Sequence, residues 1–206
     1  MAEQITTWVG DGIAQSNKSK PLVILLHGYG ANEVDLPDIM NDLPRGLPWV
    51  SPRAPIALGG NSFAWFPITL PLNPDVQTAE YATARLWQWI DAYVPATTPL
   101  IIIGFSQGGF MASQLIRTRP ERVAKLAILA GFVSGHDQPA DQLLRQRQPH
   151  VFYSRGLNDT VVSDVAVGRI KGWLLSHTTP EIQEVPNLGH GISQQTLKAL
   201  AAYLSS

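Results

Sequence analysis

The chain has 206 residues, no cysteine, and a formal net charge of −1 from 15 basic and 16 acidic side chains. That excludes disulfides, thiolate metal sites and a cysteine nucleophile, and it offers no basic patch to nucleic acid or to an anionic membrane surface. Charged residues make up 15% of the chain, below the usual share of about a quarter, and the length suits a single domain, 1–206, with a substantial core.

The N-terminus has no apolar signal core and no run approaches membrane-spanning length, so a cytoplasmic protein without stable membrane insertion is expected. Leu22-Val23-Ile24-Leu25-Leu26 predicts a fully buried strand, and His27-Gly28-Tyr29-Gly30 a glycine-loosened loop at its end. Residues 44–74 are rich in proline. A short strand near Trp49-Val50 fits inside this stretch, and the rest reads as an ordered loop carrying Gly59-Gly60, Phe63, Trp65 and Phe66. Long loops of this kind are often functional. Its rings read either as anchors on the core or as pocket lining.

Residues 78–94 place Ala82, Leu86, Trp89 and Ile90 on one helical face. Leu100-Ile101-Ile102-Ile103 is a second buried strand, 107–117 a helix, and Pro120 a plausible stop. Further strands are expected at 126–129, at Val151-Phe152-Tyr153 and at 182–185. Helices are expected at 163–175 and 194–204, with Ser163 and Ser193 as N-caps. Alternating continuous apolar runs and amphipathic segments predict an α/β fold with a mostly parallel central sheet and helices on both faces.

Between the second strand and its helix lies Gly104-Phe105-Ser106-Gln107-Gly108. G-x-S-x-G in that context is a nucleophile elbow. The chain must reverse sharply, and a side chain at either flanking position would collide with backbone. The serine is left at a helix N-terminus, where the dipole favours developing negative charge.

A serine hydroxyl needs a general base, and the imidazole needs a carboxylate to hold it. The α/β-hydrolase order is Ser, then Asp or Glu, then His. Of five histidines, His190 in Asn187-Leu188-Gly189-His190-Gly191 sits between a strand and the last helix. His177, at a helix end, reads as a solvated cap. For the acid, Asp159 follows the strand at Val151-Phe152-Tyr153, while Asp164 falls in a first helical turn where an acid is favoured by the dipole alone. An oxyanion hole needs two backbone N–H groups; Gln107, after the nucleophile, and Tyr29, in the early loop, are the candidates. His27, at the strand end, reads as a structural hydrogen-bonding residue.

Leu26-His27-Gly28-Tyr29-Gly30, Ser51-Pro52-Arg53-Ala54-Pro55, Trp65-Phe66, Gly104-Phe105-Ser106-Gln107-Gly108-Gly109, Gly156-Leu157-Asn158-Asp159 and Gly189-His190 occur in this order along nearly the whole chain. The set resembles the phospholipase/carboxylesterase family, which includes small bacterial carboxylesterases and acyl-protein thioesterases. The resemblance implies an α/β-hydrolase fold without a large lid domain and the catalytic set Ser106, Asp159 and His190. It also implies oxyanion donors at Tyr29 and Gln107, and substrate-binding Trp65 and Phe66 near the acyl pocket. The chain departs from the thioesterases at Tyr29, where they carry Leu, at Ala31, where they carry Asp, and in lacking a proline after Val162.

The expected function is hydrolysis of a small-molecule carboxylic ester through an acyl-enzyme, without metal or cofactor. An acyl-thioesterase or lysophospholipase would use the same chemistry. A binding protein that kept only the fold would not need all three residues. A homodimer burying part of the aromatic loop is an option the sequence leaves open.

Overall fold

Successive side chains along a strand point to opposite faces, so an unbroken apolar run must be covered on both. In strand β2 (Leu22–Leu26) every residue is buried; Leu22, Ile24 and Leu26 join one core cluster, Val23 and Leu25 the other. The computed structural model describes residues 4–15, 20–68 and 74–206; residues 69–73 of the proline-rich stretch lie outside them.

Seven strands form one sheet. They are β1 (Trp8–Val9), β2, β3 (Trp49–Pro52), β6 (Leu100–Phe105), β7 (Val123–Leu129), β8 (His150–Gly156) and β9 (Thr179–Val185), in the spatial order β1-β3-β2-β6-β7-β8-β9. Only β1 pairs antiparallel; every other neighbouring pair is parallel. A short helix, α1 (Gly12–Gln15), precedes β2, and one face of the sheet packs against helices α2 (Val76–Tyr93), α3 (Gln107–Thr118) and α5 (Asp164–His177), with Leu144 of α4 (Asp141–Arg147). The other is covered by α6 (Gln194–Ser205) and a 3-10 turn at Pro37–Asn41. Buried Tyr203 ties α6 to the sheet, donating its hydroxyl to His150 O (3.0 Å) and accepting from Leu126 N (3.2 Å). Burial pushes that phenol up to about 12.

Ser163 and Ser193 cap their helices as expected, accepting from Ala166 N and Thr196 N. β2 has the expected bounds, whereas the later strands of the sheet run longer than the sequence predicts. β9 begins at Thr179 and includes Pro180, which an edge strand tolerates because it has a side without a partner. Inside the proline-rich stretch a hairpin appears that the sequence reading treats as loop, β4 (Ile56–Gly59) with β5 (Ser62–Ala64). Its turn uses Gly59 (φ +103) and Gly60 (φ +57), a backbone that favours glycine. Helix α4 is also additional; seven residues carry too short a periodic pattern to stand out.

From β2 the chain steps to β3 on one side, and from β6 it proceeds to β7, β8 and β9 on the other. The order therefore reverses between β2 and β6. In open parallel sheets a crevice forms at the carboxyl ends of the strands at such a point.

Candidate active site

Ser106 follows β6 and caps α3, with φ 55 and ψ −115, a conformation rare for a residue with a side chain. Its neighbours make that turn sterically specific. A Cβ on Gly104 would lie 2.2 Å from Gly108 O, and one on Gly108 would lie 1.9 Å from Leu26 O. The elbow is thus wedged against the end of β2, and Ser106 N donates to Leu129 O (2.9 Å) on the other side.

His190, on the loop between β9 and α6, brings Nε2 to 2.9 Å from Ser106 Oγ and Nδ1 to 2.7 Å from Asp159 Oδ2. Asp159 follows β8 and is almost entirely buried. Its other oxygen, Oδ1, accepts from Val161 N (2.8 Å) and Val162 N (3.1 Å), which fixes the carboxylate's orientation. The acid and histidine loops are also joined directly, because Asn158 N donates to Leu188 O (2.9 Å). With the imidazole proton on Nδ1, facing Asp159, the Nε2 lone pair would face Ser106 Oγ. Asp164 stands exposed in the first turn of α5.

Tyr29 N and Gln107 N have no acceptor among the described residues. The loop carrying Tyr29 is held by its neighbours. Gly30 N donates to Phe63 O, and Phe63 N donates to Ala31 O, each at 2.9 Å, so β5 borders the loop as a short antiparallel bridge. His27 is fully buried and takes the structural role expected of it. Its Nδ1 lies 2.8 Å from Gly28 O, and its Nε2 accepts from Ala54 N at 3.0 Å. Burial holds its pKa below the ordinary 6.5, keeping it neutral.

The remaining candidates fall differently. Trp65 and Phe66 are 3% and 2% exposed and belong to the core. Phe66 packs edge-on against Phe110 (centroids 4.9 Å apart), and Trp65 Nε1 donates to His27 O (2.9 Å). These rings anchor the loop onto the core, and neither is among the residues that line the cavity described below. His177, expected as a solvated cap, is buried; Arg145 Nε donates to its Nε2 (2.9 Å) and its ring stacks on Trp173.

A cavity of about 390 Å³ opens at Gly28 and Phe105, the residues next in the chain to Tyr29 and Ser106. Gly28, Ala31, Leu36, Ile39, Phe105 and Ile192 line it together with His27, and among the described residues Asp35 is the one acidic residue on its wall. Gly28 and Phe105 adjoin Tyr29 and Ser106 in the chain, and the Phe105 ring lies 5.0 Å from that of His190. The cavity therefore meets the chain neighbours of Tyr29, Ser106 and His190 together. Leu36, Ile39 and Ile192 are not among the site residues that the sequence marks. Ile192 lies two residues past His190, and Leu36 with Ile39 forms an i, i+3 apolar pair, but neither signal distinguishes a pocket wall from core.

A sequence model of the phospholipase/carboxylesterase family matches residues 12–206. A probable carboxylesterase SOBER1-like protein of Arabidopsis thaliana is 23% identical over 209 aligned residues, 92% of this chain and 80% of that protein. The structure of YahD with malic acid superposes with a TM-score of 0.78 at 23% identity, covering 98% of each chain. A carboxylesterase from Mesorhizobium loti also gives 0.78, at 18% identity, over 100% of this chain and 97% of that one. Among the described residues no helix is long and apolar enough to cross a membrane.

Proposed function

The chain belongs to the phospholipase/carboxylesterase family, and on that premise we propose that this carboxylesterase works as a serine hydrolase through Ser106, His190 and Asp159. The observation that carries the reading is the unbroken hydrogen-bonded line from Asp159 through His190 to Ser106, at 2.7 and 2.9 Å.

In this scheme Ser106 Oγ attacks the ester carbonyl while its proton passes to His190 Nε2. The carbonyl oxygen becomes an oxyanion and takes hydrogen bonds from Tyr29 N and Gln107 N. Collapse of the tetrahedral intermediate breaks the bond to the alcohol oxygen, which leaves with the proton from His190. Water then gives a proton to His190 and attacks the acyl-enzyme. The second collapse releases the carboxylic acid and returns the proton to Ser106. Asp159 holds the imidazole's tautomer and stabilises its charged form without itself taking the proton. The scheme uses no metal or cofactor.

The cavity at Gly28 and Phe105 supports an uncharged substrate half of short to medium length, since apolar walls favour apolar chains. The same steps serve a thioester or a lysophospholipid. Rates on p-nitrophenyl esters from about two to about sixteen carbons, beside an acyl-thioester, sort these substrates. Ser106→Ala is the blank in that assay, and a fluorophosphonate should label the parent protein at Ser106. Hydrolysis surviving in Ser106→Ala, or labelling elsewhere, overturns the reading. Inactivity on every substrate favours a binding protein that kept the fold.

A further inference from the structure

We infer that the Gln107 carboxamide is a positioning residue for the oxyanion pair: it sets the Tyr29 N–H by holding the main chain of Trp65 and Phe66. The inference rests on the serine-hydrolase reading above.

Gln107 is fully buried, and both ends of its amide are committed. Oε1 accepts from Trp65 N (2.9 Å), and Nε2 donates to Phe66 O (2.7 Å). The segment so held reaches Tyr29 from both sides. Ahead of Tyr29, the Trp65 indole donates Nε1 to His27 O (2.9 Å). Behind it, Gly30 and Ala31 are bridged to Phe63, just before Trp65 in the chain. One residue therefore supplies an oxyanion donor through its main chain and registers the other through its side chain.

The chemistry at this position is restrictive. Trp65 N requires an acceptor and Phe66 O a donor, and a buried backbone group left unpaired is costly. A carboxamide meets both, a carboxylate only the first, and an apolar side chain neither. Stabilisation of an oxyanion depends on donors held close to its position, and a displacement of about half an ångström suffices to weaken it.

The test measures kcat and KM on one p-nitrophenyl ester from about pH 6 to about pH 10. It adds inhibition by an arylboronic acid, whose tetrahedral adduct mimics the intermediate, and thermal melting. Gln107→Leu should lower kcat about 10- to 100-fold, somewhat less than outright loss of a donor, with KM nearly unchanged. Boronate affinity should fall by the same factor. Gln107→Glu adds a signature that a merely structural amide would not give. A protonated carboxyl can donate to Phe66 O and accept from Trp65 N, and burial raises its pKa. Its kcat should therefore show an alkaline limb, falling as the carboxyl ionises, where the parent protein stays level. Trp65→Phe, which removes the indole N–H and keeps a smaller aromatic ring at that buried position, covers the case in which Gln107→Leu does not fold. It should lower kcat several-fold with KM unchanged.

Parent-like kcat and boronate affinity in these variants, with only the melting temperature reduced, overturns the inference and leaves a structural amide. So does a Gln107→Glu profile that stays level into alkali. Either result, with Ser106→Ala inactive, leaves the serine-hydrolase reading intact; an active Ser106→Ala removes both.

Discussion

Gly156 lies directly under Leu188: a Cβ on Gly156 would stand 2.1 Å from the Leu188 carbonyl oxygen and 2.3 Å from that of Gly189. Gly156 ends β8, three residues before Asp159, and Leu188 precedes His190 by two. The acid loop and the histidine loop are therefore in backbone contact, and their spacing sets the Asp159–His190 hydrogen bond.

Gly156→Ala should push these loops apart. Overpacking of this kind costs about 1–3 kcal/mol, so thermal melting should fall. If kcat is unchanged once the protein is folded, the contact serves stability alone.

Asp159→Asn should lower kcat by up to about 10⁴-fold, the scale seen when the carboxylate of such a set loses its charge. Asp164→Asn, at an exposed position, should leave kcat near that of the parent protein. The reverse ranking would mean that the acid has been misassigned. Steady-state rates on one ester decide it.

His27 predicts a pH dependence of stability. Burial lowers its pKa in the folded protein from the ordinary 6.5, so between the two values the unfolded chain binds more protons than the folded one. Its contribution is complete above about pH 6.5 and is lost as pH falls toward the folded value. Protonation also removes the Nε2 acceptor used by Ala54 N. Urea midpoints measured across this range should fall with acid less steeply in His27→Gln than in the parent protein; parallel curves would exclude His27 as the cause.

Arg117 and Asp141 form a buried bidentate pair at 2.8 and 2.7 Å, and Arg117 also donates to the carbonyls of Ser134 and His136. Burial alone would raise the Asp141 pKa, but the Arg117 guanidinium holds it below the ordinary value of 3.8. Arg117→Met leaves that carboxylate buried and unpaired, which typically costs about 3–5 kcal/mol. Denaturant titration should show the loss. A cost below about 1 kcal/mol would mean that water reaches Asp141.

Asp35 lines the cavity at Gly28 and Phe105 and accepts from Asn32 N (2.6 Å). Its charge should disfavour substrates whose chain ends in a carboxylate. Like charges a few ångströms apart repel by about 1–4 kcal/mol at partly exposed sites, so Asp35→Asn should raise kcat/KM for an ω-carboxy ester by about tenfold relative to its neutral counterpart. An unchanged ratio would show that the charged end never approaches Asp35.

Much of this protein is legible along the chain because the signals are local. Leu100 to Ile103 reads as a strand covered on both faces, and Gly104 and Gly108 carry the steric demand of the turn between them. His190 is readable for a similar reason, a histidine in a glycine loop after a late strand. The hairpin at Ile56–Gly59 and Ser62–Ala64 is not readable, because its short strands gain their place by bridging to Ala31, more than twenty residues earlier. The buried setting of His177 depends on Arg145, which arrives on a helix too short to announce itself.

The order of chemical groups, with serine, acid and histidine each placed after a strand, was thus determined by the sequence alone, since periodicity and turn sterics act over a few residues. Tertiary structure decided which carboxylate faces His190, that Trp65 and Phe66 turn into the core, and that the Gln107 side chain joins the loop of Ser106 to the loop of Tyr29. Those outcomes depend on the distances between segments remote in sequence, and such distances are set only when the sheet closes and its loops must satisfy one another's buried polar groups.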